Sequence, residues 1–339
     1  MKNIKLILIL LILIACSGKK EKLRELIEQG NEALAENKYH TAIEIYTRAI
    51  EIRETYASAL NNRGIAHHRL GNYENAWNDY SRAIEAEPDY YDAFLNRVLL
   101  AMDFNQFYRA KEDLYQMEKQ YPDSAKVIFS LGIVYAHLYE YDRALETFNK
   151  VIKLDPQNKE IYINRGTLYY YKKVYQKALE DLDKAIAIDA EVPDAYNAKA
   201  MVYTALGDYG LALEQINRSL ILKPDHAHFL NNRGFIYLEL NELDKAREDI
   251  NSSIASDPDN AWAYRNKGIY YLKIADGPDA IRLLTQAANM DKFVEKVYFY
   301  LGEAFRVEKK PDQACANYKK SANNLEKEGL EAFKLYCSD

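Results

Sequence analysis

The chain has 339 residues, 28% of them charged and 48% hydrophobic, a balance that excludes wholesale disorder. Lysine and arginine number 45 against 51 acids, a net charge of -6 with both signs mixed along the chain, so the basic stripe of a nucleic-acid binder is missing. Thirteen glycines and eight prolines are too few for a turn-rich all-β chain, and 29 tyrosines against 11 phenylalanines and 2 tryptophans suggest one position reused many times.

Met1 to Lys5 is a short basic start, and Leu6 to Ile14 is an unbroken apolar run. At about 1.5 Å rise per residue that run falls short of the roughly 30 Å hydrocarbon core, so it fits the apolar part of a cleaved secretion signal rather than a span. It closes on Leu13-Ile14-Ala15-Cys16, which resembles the bacterial lipobox. That resemblance implies a signal peptide over residues 1–15, lipid on Cys16 and a linker over 16–22. Ser17 carries no inner-membrane retention signal of the aspartate type, which implies an anchor in the outer membrane, facing the periplasm. Stable anchoring requires more than one acyl (palmitate-type) chain. Of the other cysteines, only Cys315 and Cys337 remain, too few for a disulfide scaffold. A bridge between them and two separate small core residues are both compatible with the sequence.

Gly64, Gly132, Gly166, Gly234, Gly268 and Gly302 fall in register with a period of 34. Repeats then begin at Leu23, Ala57, Tyr91, Ala125, Lys159, Pro193, Ala227, Ala261 and Glu295, and tile residues 23–328 without a gap. Position 20 is alanine in every repeat, from Ala42 to Ala314. Position 8 is Gly or Ala except at Val98, position 11 is aromatic in each of the last six repeats (Tyr135 to Phe305), and position 24 is large and apolar (Tyr46, Tyr80, Phe148, Tyr318 among them). Position 32 is proline at Pro88, Pro122, Pro156, Pro224 and Pro258.

This pattern resembles the tetratricopeptide repeat family in length and landmarks. The resemblance implies an all-α, right-handed α-solenoid of nine helix-turn-helix units, with a turn near position 15 (Gly71, Asn105, Gly207, Asn241) and a stop at the position-32 proline. Small residues at 8 and 20 let the two helices approach, and larger ones beside them fill the gap. Gly329 to Tyr336 repeats the start of a first helix and is expected to cap the array, within a tail over 329–339.

Position 7 is Arg63, Arg97, Arg165 and Arg233 in four repeats, and position 23 in those same four is Asp79, Asp113, Asp181 and Asp249. The other repeats lack both. Their covariation within one chain predicts a structural ion pair between the two helices of each unit.

The six histidines sit at unrelated repeat positions, and His226-Ala-His228 has no third ligand at metal spacing, so no metal and no cofactor are expected. No glycine-rich phosphate loop or nucleophile elbow is present, and an enzyme is disfavoured. Position 6 carries Asn62, Asn96, Asn164, Asn232 and Asn266, with Ser130 in the fourth repeat. Asparagine is a poor helix-interior residue, so the recurrence needs a reason. In the family, first helices line the concave face, and such amides can grip the backbone of an extended peptide. The alternative is that these amides fix neighbouring helices. Ile65, Leu99, Ile133, Met201, Phe235 and Ile269 at position 9, interrupted by Thr167, with Met102, Tyr170, Leu238 and Leu272 at position 12, form an adjacent apolar line, read either as groove wall or as packing between first helices. Trp262 and His228 are expected on its rim.

The family's chaperone-binding version clamps carboxylates with Lys and Arg beside two Asn. Asn31 and Asn62 match the amides, but the cationic positions are Ile27, Asp92 and Asn96, so recognition of an acidic C-terminal tail is disfavoured. The expectation is a membrane-anchored scaffold that holds protein or peptide segments on its concave face, in envelope assembly or in docking cell-wall enzymes. A self-assembling oligomer is the alternative.

Overall fold

The computed structural model describes the backbone of residues 2–337 and the side chains of residues 18–337. The signal segment and the side chain of Cys16 lie outside the described side chains. Nineteen helices follow one another, with no strand among the described residues. They divide into two units, residues 2–156 and 157–337.

The first unit holds α1 (Lys2–Ala35), α2 (Tyr39–Ile52), α3 (Ala57–Arg69), α4 (Tyr73–Ala86), α5 (Tyr91–Asp103), α6 (Phe107–Gln120), α7 (Ala125–His137) and α8 (Tyr141–Leu154). The second holds α9 (Lys159–Tyr171), α10 (Tyr175–Ile188), α11 (Pro193–Leu206), α12 (Tyr209–Leu222), α13 (Ala227–Glu239), α14 (Leu243–Ser256), α15 (Ala261–Lys273), α16 (Gly277–Met290), α17 (Val297–Val307), α18 (Pro311–Asn323) and α19 (Lys327–Tyr336). Each odd-numbered helix pairs with the next, and α19 packs on α18. One boundary differs from expectation: α1 begins at Lys2 rather than near Leu23. No proline interrupts that stretch, and Gly18 is its one glycine before Gly30.

The turn between paired helices is built the same way throughout. Position 15 has positive φ at Asn37, Asn105, Tyr139, Lys173, Asn241, Ala275 and Lys309, and at Gly71 and Gly207. The next amide then bonds back to the carbonyl of position 11, as in Asn72 N–H to His67 O (2.9 Å) and Asp276 N–H to Tyr271 O (2.9 Å). This left-handed termination satisfies carbonyls that the helix end would leave bare.

Position 8 explains the glycines. A Cβ at Gly64 would stand 2.7 Å from the Tyr80 ring, one at Gly132 2.5 Å from Phe148, and one at Gly268 2.5 Å from Leu284. The position-24 side chain lies directly on the glycine, and Tyr46, Tyr80, Phe148 and Tyr318 are fully buried there. Alanine at position 20 is buried in every pair. Within each unit the core is therefore a row of repeated two-helix contacts, each joined to the next because second helices also pack on the following first helix.

The arginine–aspartate pairs close between helices as bidentate forks. Arg63 Nη2 lies 2.6 Å from Asp79 Oδ1, Arg97 Nη2 2.7 Å from Asp113 Oδ1, Arg165 Nη2 2.6 Å from Asp181 Oδ1, and Arg233 Nε 2.6 Å from Asp249 Oδ2. Three of the arginines also donate Nη1 to the second helix of the preceding pair: Arg63 to Thr47 Oγ1, Arg97 to Ser81 Oγ and Arg233 to Asn217 Oδ1. Each such guanidinium thus ties three helices. The aspartates are buried, and burial pushes the Asp113 carboxyl up against the pull of Arg97. Pairs of this kind specify geometry more than they stabilise, because desolvation offsets much of the attraction.

Asp79→Ala leaves the Arg63 guanidinium buried without its carboxylate, and urea unfolding of the first unit should register a loss of about 3–5 kcal/mol. Arg63→Met/Asp79→Leu, which removes both charges, should recover most of that loss. Equal losses from the single and double variants would contradict the buried-pair account.

Candidate functional site

Within each unit the first helices of successive pairs touch: α1 with α3 and α3 with α5 in the first, α9 with α11, α11 with α13, α13 with α15 and α15 with α17 in the second. Their shared face is the inner surface of the unit. In the second unit that surface encloses a cavity of about 690 Å³, within the range of ligand sites. Its walls come from α9, α11, α13, α15, α17 and the segment before α17. Tyr170 on α9 feels the charges of Glu295 and Arg265, so the inner face curls far enough to bring α9 opposite residues four pairs later.

The position-6 asparagines fall into two groups. Asn96, Asn232 and Asn266 each donate to the amide oxygen of an asparagine on the preceding first helix: Asn61 (2.9 Å), Asn197 (2.8 Å) and Asn231 (2.8 Å). Asn62 donates to Asn31 (2.9 Å), which also accepts from the Tyr46 hydroxyl. These amides clip adjacent repeats together. Asn164 instead donates to Glu160 O of its own helix. Asn266 is the extreme case: it is fully buried, and its oxygen accepts both Nε (3.0 Å) and Nη2 (2.7 Å) of Arg265. It has no surface to offer a ligand, and the expectation of a ligand-facing amide does not hold at that position.

The apolar line divides in the same manner. Met201 and Phe235 line the cavity. Leu99 is 41% exposed, whereas Ile65, Met102 and Ile133 are half-buried, with Ile65 and Met102 packed against core clusters. Ile269 is 3% exposed and belongs to the core, so it too cannot face a ligand. Trp262 and His228, expected on the rim, line the cavity. Asn62, Asn96 and Asn164 lie outside the cavity lining, while Asn232 lies within it.

Sequence reasoning placed Tyr170 on the apolar line and missed Arg265, Tyr300, Glu295 and Lys296; all five line the cavity. Arg265 is only 7% exposed. It stands over the Trp262 and Phe235 rings, 4.7 and 5.1 Å from their centroids, and donates Nη1 to Glu295 O. Burial pulls its pKa below the usual arginine value, as expected for a desolvated cation. A signal existed: position 5 is amide or apolar in every other repeat, and Arg265 is the one charge there. Lys296 pairs with Glu328 at 2.6 Å, and Glu239 accepts from the Tyr209 hydroxyl. Among the described residues no group of three His, Cys, Asp or Glu side chains is placed to hold a metal ion.

Family models described as TPR repeat match residues 30–71 and 140–173, and models described as tetratricopeptide repeat match 57–90, 163–226 and 197–261. These residues are tetratricopeptide repeats. The backbone is similar to a chain in the crystal structure of the APC/C hetero-tetramer Cut9–Hcn1, with a TM-score of 0.62 and 15% identity over 91% of this chain and 75% of that one. It is also similar to pilF of Pseudomonas aeruginosa, with a TM-score of 0.52 and 17% identity over 62% of this chain and 96% of that one. At such identities the likeness is one of fold.

Asn266→Ala should lower stability of the second unit by about 1–3 kcal/mol, since it strands buried donors of Arg265 and the oxygen of Asn231. Asn164→Ala should change it by no more than about 0.5 kcal/mol, the gain in helix propensity offsetting one exposed bond. Denaturant titration of both variants checks the contrast, and equal effects would refute the division of the asparagines.

Proposed function

We propose that this chain of tetratricopeptide repeats, nine in all, is a non-catalytic scaffold that holds protein segments on its inner face and is lipid-anchored at Cys16 in a bacterial envelope. The cavity of the second unit carries the reading. It combines apolar walls (Met201, Phe235, Trp262) with amides that the repeat clips leave partly unspent: among the described residues Asn232 Oδ1 accepts no hydrogen bond, and Asn197 Nδ2 contacts Met201 Sδ alone, at 3.9 Å. A surface with apolar pockets beside free donors and acceptors suits a peptide, whose backbone needs both.

Two further features support export. Cys315 and Cys337 form a disulfide joining α18 to the end of α19, and structural disulfides persist where the compartment is oxidising. The Leu13-Ile14-Ala15-Cys16 sequence supplies the corresponding secretion and lipidation signal. Among the described residues no helix is long and apolar enough to cross a membrane.

Self-assembly is the second reading, and α19 favours it. Leu330, Leu335 and Tyr336 are exposed on this last helix, an apolar end surface of the kind that a further repeat or another copy covers.

Cys16→Ala should release the protein from the membrane fraction or leave residues 1–15 attached, as read by fractionation and intact mass. A processed Cys16→Ala protein that stays membrane-bound would end the lipoprotein reading. Sedimentation of a soluble form lacking residues 1–16 should show a monomer; a concentration-dependent oligomer would favour self-assembly.

A further inference from the structure

The repeat architecture does not account for the side chains around Arg265. A buried guanidinium is normally met by a carboxylate, as Arg63, Arg97, Arg165 and Arg233 are in this chain. Among the described residues Arg265 makes no ion pair: its protein partners are the Asn266 amide oxygen and the Glu295 carbonyl. Three of its five N–H groups are thereby engaged, which leaves one on Nη1 and one on Nη2 of a residue that lines the cavity.

Two phenols stand in the same field. Tyr170 and Tyr300 both line the cavity and both interact electrostatically with the guanidinium. Burial pushes both phenols up, so both keep their protons at neutral pH. Neither hydroxyl donates to any described group of the protein. One cation and two phenol donors therefore face one space. Two carboxylates, Glu239 and Glu295, line the same cavity, but Glu295 is exposed to water, Glu239 accepts from the Tyr209 hydroxyl, and among the described residues neither forms an ion pair with Arg265. They temper the charge of Arg265 through space without filling its hydrogen bonds.

The walls beside this donor set are aromatic and apolar: Phe235 and Trp262 flank the guanidinium, and Met201 lies on α11. We propose that the cavity of the second unit selects a partner peptide in which a carboxylate neighbours an aromatic side chain, the carboxylate taken by Arg265, Tyr170 and Tyr300 and the ring packed on Met201, Phe235 and Trp262. One guanidinium carries the charge, unlike the several cations of the clamp that fails around Asn31 and Asn62. Asn266 acts as a positioning residue, holding the guanidinium through its oxygen while its nitrogen is fixed on Asn231. The proposal rests on the inner face being a peptide site and adds the chemistry that the site reads.

Calorimetric titration of the purified chain with three peptides tests it: acetyl-Gly-Glu-Phe-Gly-amide and its counterparts with Gln or Lys in place of Glu. The Glu peptide should bind at least about tenfold tighter than the Gln peptide, the scale of one charge-assisted contact, and the Lys peptide weakest of all. Arg265→Met should abolish the preference for Glu over Gln, and Arg265→Lys should restore part of it. Tyr170→Phe/Tyr300→Phe, which keeps both rings, should reduce it. Equal binding of Glu and Gln peptides to the unaltered chain, tighter binding of the Lys peptide, or no binding of any would each overturn the proposal without recourse to a variant. Continued capture of a native partner by a chain indifferent to peptide charge would sink this inference alone and leave the scaffold reading standing.

Discussion

In seven of the nine helix pairs a glycine at position 8 closes the pair through a contact with no room for one more carbon. The position-8 residue of the first helix and the position-24 side chain of the second meet so closely that a methyl group on Gly64, Gly132 or Gly268 would overlap a ring or branched carbon. Overpacking such a contact costs about 1–3 kcal/mol, and here the same contact recurs along the chain. Its recurrence keeps the helices of successive pairs in a constant relation. Within each unit that constancy lines up successive first helices, and in the second unit it curls them around a cavity.

Two kinds of polar clip act on this apolar frame. The arginine forks tie a pair together and, through Thr47, Ser81 or Asn217, reach back to the preceding second helix. On the inner side the asparagines join first helix to first helix. The arginine forks are closed within the fold, whereas the asparagine clips leave Asn232 Oδ1 and Asn197 Nδ2 partly unspent at the cavity. The donors around Arg265 go further, because Tyr170 and Tyr300 contribute hydroxyls to the inner face that donate to no group among the described residues.

Periodicity made most of the fold legible. The 34-residue register placed the first helices to within two residues from α3 onward, with α17 the one late start at Val297, and the Arg–Asp covariation anticipated which helices would be bridged. What periodicity could not convey was depth. Asn232 and Asn266 occupy the same repeat position, yet one lines a cavity and the other is sealed beneath Arg265. Ile269 and Phe235 likewise share position 9 and differ in exposure, because the curl of the unit covers one site and leaves the next open. Irregular residues marked the cavity better than regular ones did. Arg265 breaks the amide-or-apolar rule of position 5, and Tyr170 and Tyr300 sit at positions 12 and 6, whose partners elsewhere differ in kind. The Cys315–Cys337 bridge also escaped the sequence, since their 22-residue separation says nothing of how α19 folds back on α18.

The central claim is that a protein segment occupies the inner face of the second unit. Site-specific photo-crosslinking in intact cells tests it most directly, with a photoreactive amino acid placed in turn at Met201, on the cavity wall, and at Glu180, exposed on α10. The account predicts a discrete protein adduct from Met201 and none from Glu180. Adducts from Glu180 with none from Met201 would contradict it and move the binding surface to the second helices.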